Sequence, residues 1–489
     1  MKKTLIILKL VILTVSISSC SKWLDLQPQD GITKNEFWKT KEDVRAALFG
    51  IYSSLNSGGV EERIFLWGEL RADMVGVTSY AIDDYRLVKN YNTLSTNQLA
   101  DWSAMYTAIN NCNLLIDFAP EAKAADPTFT DSEYNSYVGE ALAVRSLLYF
   151  YLVRTFRDIP LKLKGSYKDT DVESVGQANA AQVLEQLIND LKRAQEMVPD
   201  YHVPPSGANL VINASNTGRI TKPAVTTLLA DVYLWNEEYD KAEAEANKVL
   251  VSNRYRLLGE ASRAIFDGGT AETIFEISHK ESIENPMYPL VVDPRRRYVA
   301  AVEIVNSDVF PPNTETDLDL TDSRGEGILY TSSGAIVKHG TETPDYFNFQ
   351  IYRISDAMLI QAEAIAEQGR GAEALQILNT LRSARGALKS TERAVSETDT
   401  DGIVRYIIEE KARELSFEGK RWFDLLRLAK KDNYANLDVI LEIVSKVVDA
   451  SVQQSAIAKA RDVDSHYLPI LEDELFKDGQ LQQNPFYLK

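Results

Sequence analysis

Along this chain the apolar positions recur mainly at three- and four-residue spacing, the pattern of helices that bury one face. Val44 to Leu55 follow it, and Trp102 to Ile116 repeat it with Met105, Ile109 and Cys112. Glu140 to Phe156 form a denser helix in which Leu142, Leu148, Tyr149 and Leu152 share space with Arg145 and Arg154. Pro160 follows its end, as a residue that cannot continue a helix should. Cys112 sits on the apolar side and is expected in the core. Between 255 and 350 the pattern changes. Glu272-Thr-Ile-Phe-Glu-Ile-Ser278 alternates like a strand, and Pro286, Pro289, Pro294, Pro311, Pro312 and several glycines mark long ordered loops. The expected fold class is mostly α, with a loop-rich insertion containing short strands.

The most informative internal pattern runs from Lys222 to Val251. Leu229-Ala230-x-x-Tyr233, then Tyr239 and Ala242, reproduce the small and large positions at which tetratricopeptide helices interlock. Ala362, Ile365, Ala374, Leu378 and Leu381 keep the same spacing, with Gln361 in place of the expected leucine. Ala230 and Ala362 stand 132 residues apart, whereas a regular array repeats at about 34. The scaffold is therefore interrupted. Five segments follow: 1–19 a leader, 20–40 a tether, 41–254 an N-terminal helical part with one tetratricopeptide-like pair, 255–350 the insertion, and 351–489 a C-terminal helical part with the second pair. Loops on a rigid helical scaffold are where binding surfaces are built, which makes 255–350 the expected ligand face.

The leader has its own chemistry. Lys2 and Lys3 precede an apolar run from Leu5 to Ile17, 13 positions broken once by Lys9, short of the about 20 a transmembrane helix needs. It reads as a secretory signal. The run closes in Ile17-Ser18-Ser19-Cys20, which resembles the lipobox at which bacterial lipoproteins are cleaved and diacylated, so Cys20 is the expected lipid attachment site. Only Cys112 would then remain as a thiol, and an intramolecular disulfide is excluded. The extended leader from Ser21 carries Leu24, Leu26, Pro28 and Asp30-Gly31, and no later apolar stretch is long enough to span a bilayer.

Charge removes several functions. With 53 Lys and Arg against 71 Asp and Glu the formal charge is −18, and such a surface repels phosphate backbones and anionic headgroups alike. Cleavage before Cys20 removes three lysines and no acid, which takes the charge to −21. The four histidines, His202, His279, His339 and His466, lie far apart with no ligand spacing, and there is no G-x-S-x-G elbow. Gly369-x-Gly371 has Ala374 at the third glycine position, with no strand pattern before it. Glu397, Asp399, Asp401 and Gly402 imitate a calcium loop, but position 12 is Ile408, and helix capping explains these acids better. No cofactor is indicated, with a structural calcium ion left open. Paired carboxylates for glycoside hydrolysis are a spatial feature and leave that alternative standing.

Residues 403 to 428 read Ile-Val-Arg-Tyr-Ile-Ile-Glu-Glu-Lys-Ala-Arg-Glu-Leu-Ser-Phe-Glu-Gly-Lys-Arg-Trp-Phe-Asp-Leu-Leu-Arg-Leu. Val404, Ile408, Ala412 and Leu415 form one stripe, Glu409 and Arg413 are placed to pair at i,i+4, and Gly419 is placed to end the helix. The string resembles the ERxxEL-x-EGxRxxDLxR signature of the SusD/RagB family of outer-membrane nutrient-binding lipoproteins. Glu410, Glu414, Leu415, Glu418, Gly419, Arg421, Asp424, Leu425 and Arg427 stand in matching places, and Lys411-Ala412 departs from it. Cys20 to Pro28, Trp102-x-x-x-Tyr106 through Asn113, Ala141 to Arg145 with Tyr149-Phe150, Tyr352 to Ala364, and Leu468-Pro469-Ile470 with Gln483-Asn484-Pro485 are similar to the same family in the same order.

The resemblance implies a non-enzymatic, surface-exposed lipoprotein of the outer membrane. It would capture oligosaccharide, or peptide in RagB-like members, and deliver it to a SusC-like TonB-dependent transporter. The signature residues carry over as structural, an Arg and Glu network between packed helices. Sugar rings need flat amphipathic surfaces, so tyrosines in loop-like context are the expected ligand residues. These are Tyr80, Tyr85 and Tyr91 after the Glu69-Leu-Arg-Ala-Asp73 segment and Tyr288, Tyr298 and Tyr330 in the insertion, with Asp73 and Arg297 as polar partners. The adjacent Arg295-Arg296-Arg297 would favour an acidic sugar. The rival functions are a lipid-anchored glycoside hydrolase and a scaffold acting only through tetratricopeptide-like grooves.

Overall fold

The computed structural model describes residues 37–488 apart from 57–58, 169–173, 204–213, 260–268, 280–284, 315–321 and 341–346. Cys20 and the rest of the leader lie outside the described residues. The last part of the expected tether is docked, with Trp38 buried and its ring 5.5 Å from that of Phe118.

The helices form one continuous row. Its first column is the 26-residue helix α1 (Asp131–Phe156), closed at its N-terminus by a capping box between Thr130 and Glu133 and buried at every position from Ser136 to Phe156. On one side it packs against Ser103–Ala125 and Lys41–Asn56. On the other side follow, each packed on the next, α2 (Ala180–Met197), α3 (Lys222–Trp235), α4 (Tyr239–Leu250), α5 (Ile354–Glu367) and α6 (Gly371–Ala384). The two tetratricopeptide-like pairs are α3/α4 and α5/α6. They lie side by side although more than a hundred residues separate them, because α4 packs directly on α5. Buried Ala230, Ala242, Ala246, Ala362 and Ala374 let these helices approach closely. The row continues into α7 (Thr400–Glu414) and α8 (Arg421–Tyr434), whose helical backbone breaks at Lys431–Asn433. Asp399 caps α7 by accepting from the Gly402 N–H at 3.0 Å, the capping role expected for this acidic run. Among the described residues no helix is long and apolar enough to cross a membrane.

Two of the three two-stranded ribbons fix the insertion. β4 (Thr273–Ile277) and β6 (Phe349–Arg353) pair antiparallel from Thr273↔Arg353 to Ile277↔Phe349. The chain thus leaves the helical row and returns to it at the same point, which is how the second helix pair lands beside the first. β1 (Val75–Val77) pairs with β5 (Tyr298–Ala300), joining the insertion to the N-terminal part, and β2 (Ile159–Pro160) pairs with β3 (Gln177–Ala178).

Around the signature segment lies a buried ion network. Glu410 takes bonds from Arg324 at 2.8 Å, Arg382 at 2.6 Å and Arg413 at 2.8 Å. Glu414 takes them from Arg353 at 2.6 Å and from Arg385 at 2.8 and 3.0 Å. Glu418 takes them from Lys338 at 2.7 Å and Arg353 at 3.0 Å. Burial opposes ionisation of all three acids, but the surrounding guanidinium and ammonium groups outweigh it and hold each carboxyl well below the usual range. Lys411, where the sequence departs from the signature, pairs with Glu363 at 2.6 Å.

Two local expectations are corrected. Arg413 bonds Glu410 one turn back, and Glu409 instead turns outward to Arg393 at 2.7 Å. Gly419 does not end the helix, which stops at Glu414; it serves a close crossing between chain segments. Its φ is +72°, and a Cβ on the facing Gly68 would stand 1.8 Å from the Gly419 carbonyl oxygen.

Replacing one buried acid leaves several buried cations short of a counter-charge. Glu414→Gln is expected to cost about 3–5 kcal/mol of unfolding free energy, measured by urea denaturation. Glu409→Gln, at the half-exposed pair with Arg393, is expected to change it by less than about 1 kcal/mol. Because the folded carboxyl groups titrate below their unfolded values, the network's stabilisation is complete above the ordinary glutamate range and is lost progressively as pH falls from that range through the lower folded values.

Candidate functional site

The residues singled out after Asp73 and around Arg297 are brought together by the β1–β5 ribbon. Val77 pairs with Tyr298, and the ladder continues one step further because the Thr78 N–H donates to the Arg297 carbonyl at 2.9 Å. The Thr78 hydroxyl donates to the Arg296 carbonyl at 2.6 Å and accepts from the Tyr80 N–H at 3.1 Å. Arg86, on the short helix Asp83–Lys89, donates to the Thr78 carbonyl at 2.9 Å. Thr78 is therefore the knot that holds both Tyr80 and Arg297. Nothing in the local sequence marks Thr78 or Arg86 for this task, since it exists only once strands more than 200 residues apart have paired.

On this ridge the Tyr80 side chain is 56% exposed, and Arg295 and Arg297 are exposed as well. Arg296 is turned aside and donates to the Ser333 carbonyl at 2.9 Å. Below the ridge Tyr85 and Tyr298 are buried with ring centroids 6.0 Å apart and planes 33° from parallel. Burial raises both phenols above their ordinary value, and the Tyr298 hydroxyl has no hydrogen-bond partner among the described residues. These two rings support the ridge and do not present a face to it. Tyr288 is half-buried on the turn Tyr288–Val292 that precedes β5.

The remaining expected ligand residues stand elsewhere. Tyr91 is buried, donates to the Arg71 carbonyl at 3.0 Å and packs edge-on to Trp422. Tyr330 is fully buried between Phe310 and Phe417, with its hydroxyl on Asn306. Asp73 is a structural partner, gripped by both ends of the Arg421 guanidinium at 2.9 Å. Burial disfavours its charge, but Arg421 outweighs this and lowers the carboxyl below its ordinary value. The segment that carries the ridge is thereby tied to α8.

Beside Asp73 sits Glu69, fully buried. One carboxyl oxygen accepts from the Gly419 N–H at 2.9 Å and the Lys420 N–H at 3.3 Å, while the other has no partner among the described residues. Burial pushes this carboxyl up to about 8 against those two bonds. Lys89, which donates to the Ala72 carbonyl at 2.8 Å, is lowered to about 8 by burial against the pull of Asp73 and Glu69.

All four histidines are buried and bonded: His279 to Glu61 at 2.7 Å, and His202, His339 and His466 to backbone carbonyls at 2.6–2.9 Å. Among the described residues no group of three or more His, Cys, Asp or Glu could hold a metal ion. Cys112 is fully buried, and burial raises its thiol to about 12, which keeps it a protonated core residue.

Two family models match this chain. One, described as the SusD family, matches residues 330–487, and the other, described as starch-binding associating with outer membrane, matches residues 22–234. The chain belongs to the SusD family. SusD-like protein P38 of Formosa agariphila is 25% identical, with 88% of this chain and 92% of that one aligned. SusD-like protein P2 of the same organism is 24% identical over 86% and 89%. Among solved structures, a SusD superfamily protein from Bacteroides thetaiotaomicron superimposes with a TM-score of 0.73 at 22% identity, covering 92% of this chain and 99% of that one. Surface glycan-binding protein A from Bacteroides thetaiotaomicron, solved in complex with laminarihexaose, superimposes with a TM-score of 0.68 at 20% identity over 91% and 100%. The mostly helical SusD-like fold expected from the sequence is the fold observed.

Glu69 provides a test of how the ridge is anchored. Its carboxyl titrates higher folded than unfolded, so its contribution to stability is present at low pH and is lost as pH rises through about 8. Chemical denaturation at pH 5, 7 and 9 of the wild type and of Glu69→Gln is expected to show the wild type losing stability relative to the variant over that interval. A difference independent of pH would show that Glu69 is ionised throughout.

Proposed function

We propose that this SusD-family protein is a lipid-anchored glycan-capture protein of the outer membrane, exposed at the cell surface. It binds oligosaccharide on the β1–β5 ridge and delivers it to a SusC-like TonB-dependent transporter without making or breaking bonds. The observation that carries this reading is the exposed Tyr80 ring and the exposed Arg297, both anchored through Thr78 on a ribbon packed over the buried Tyr85 and Tyr298. An exposed, positioned aromatic offers a face to a pyranose ring, and a guanidinium offers directed donors to its hydroxyl or carboxylate oxygens. The laminarihexaose bound by the neighbour of the same fold supports a saccharide as the ligand class. The family description supports the outer membrane as its place. Cys20 in its lipobox supplies the anchor in this reading.

Tyr80→Ala, and separately Arg297→Ala, are expected to weaken oligosaccharide binding about tenfold by calorimetry while leaving the melting temperature unchanged. The panel covers plant, host and microbial polysaccharides and peptide digests, and the same mixtures are assayed for new reducing ends. Binding without product and sensitive to Tyr80 is the expected result. New reducing ends would replace this reading with a hydrolase, and binding of peptides alone with a RagB-like member.

Cys20→Ser is expected to move the protein from the membrane fraction to the soluble fraction of fractionated cells. Retention of the variant in the outer membrane would overturn the lipid anchor.

A further inference from the structure

A second hollow lies away from the ridge. It is a cleft of about 550 Å³ between the first turns of the helix Ser103–Ala125, the strap that follows β2 from Pro160 to Lys168, and the C-terminal helix Glu472–Lys477. That volume is within the range of small-ligand sites. The Tyr106 ring forms part of its floor. Its hydroxyl donates to the Pro160 carbonyl at 2.7 Å and Trp102 meets it edge-on at 5.5 Å, so the ring is held in place and half-exposed.

The strap is built as a fixed wall. The Asn110 amide bonds both the N–H and the carbonyl of Ser166, at 2.8 and 3.0 Å, and the Tyr149 hydroxyl does the same for Lys162, at 2.8 and 2.7 Å. Gly165 lies so near the helix that a Cβ would stand 2.9 Å from the Leu114 nitrogen. These bonds are all made with the strap's backbone, and its side chains project from a rigid frame.

What projects is positive. Lys162, Lys164 and Lys168 line one side and Lys477 the other, in a chain whose formal charge is −18. The two acids of the cleft are already engaged. Glu474 accepts from Lys477 at 2.8 Å and from the Trp102 indole at 3.4 Å, and Asp478 accepts from the Ser174 hydroxyl and the Gln480 N–H. Lys164 is paired with Asp117 at 3.0 Å and Lys477 with Glu474, while no described carboxylate forms an ion pair with Lys162. By contrast, the groove of about 530 Å³ between the tetratricopeptide-like pairs is lined by Asp240, Glu243 and Glu373 and has no aromatic ring.

We propose that the Tyr106–Lys162 cleft is a second saccharide site, selective for acidic sugars that carry carboxylate or sulfate groups. A bare anion would use the lysines and leave the ring idle, whereas a neutral sugar would leave the lysines unused. An acidic pyranose uses both, its face on the ring and its anion on the ammonium groups. The site deepens the glycan-capture reading, but it shares no residue with the ridge, so the two fail separately.

The test uses the purified, detergent-solubilised full protein and three probes: an oligogalacturonate hexamer, a carrageenan hexamer and laminarihexaose. At least one acidic hexamer is expected to bind with an affinity that falls as salt rises. Lys162→Gln combined with Lys477→Gln should weaken that binding about tenfold or more. Hydrogen exchange in the complex should slow in 160–168 and 474–481. Which of the two acidic probes binds distinguishes a carboxylate from a sulfate ligand. Failure of both to bind, indifference to the lysine pair, or protection confined to 75–86 and 293–300 would each overturn the second site. Laminarihexaose binding sensitive to Tyr80 would keep the ridge reading intact in all three cases.

Discussion

The structure depends on how three buried glutamates are satisfied. Glu410, Glu414 and Glu418 would each carry a desolvation penalty of several kcal/mol if left alone in the interior. They are ionised there only because their cations arrive from several directions at once. Arg324 and Lys338 come from the insertion, Arg353 from the end of β6, Arg382 from the last turn of α6, Arg385 from just past its end, and Arg413 from α7 itself. Since the cost of an incomplete set exceeds the gain from any one pair, the network acts as a condition on assembly. The segments either meet in this arrangement or leave charge buried without a partner.

That condition reaches the β1–β5 ridge through covalent continuity. Arg353 closes β6, and β6 holds β4, so the point at which the insertion leaves the helical row is set by the same guanidinium that serves Glu414 and Glu418. The return of the insertion lets β5 meet β1. On the other side of that ribbon, Asp73 is tied to Arg421 one step beyond the network, and Gly68 crosses Gly419 at a distance that admits no side chain. Tyr80 and Arg297 therefore stand on a ribbon anchored at both ends to the charged core. Anchoring of this kind reduces the ordering that a ligand bound there would have to supply.

The helical part of the fold was legible because its signals are local. The stripe Val404, Ile408, Ala412, Leu415 and the small residues around Ala230 and Ala362 act within one or two turns of their own helix, and so does the Asp399 cap. Pairings that depend on tertiary neighbours were not legible. Glu409 and Arg413 have the right spacing for an ion pair, yet Arg393 claims the first and Glu410 the second. The tyrosines show the same limit. Tyr298 reads as a loop residue, but β5 alternates and its register with Val77 turns Tyr298 inward; Tyr330 is buried because Asn306, 24 residues earlier, satisfies its hydroxyl. Composition around a tyrosine says whether the backbone is helical, and says little about which way a short strand faces. Asp73 was read as a ligand group for want of the one fact that matters, the position of Arg421.

A surface of one charge sign with a small region of the other has a further physical consequence. Fields of exposed charges are screened beyond about 8–10 Å at physiological ionic strength, so the overall charge of −18 acts on an approaching acidic glycan weakly at a distance. It does not cancel the lysines at contact. Repulsion by the whole body slows encounter, and attraction in the cleft slows departure, so the two effects enter different rate constants. An acidic chain that reaches the cleft is held there by its anions and its ring faces together, while one that meets the remaining surface is not retained. Selectivity on such a protein comes from the contrast between the body and the cleft, and the excess of acid over base elsewhere in the chain becomes part of the recognition.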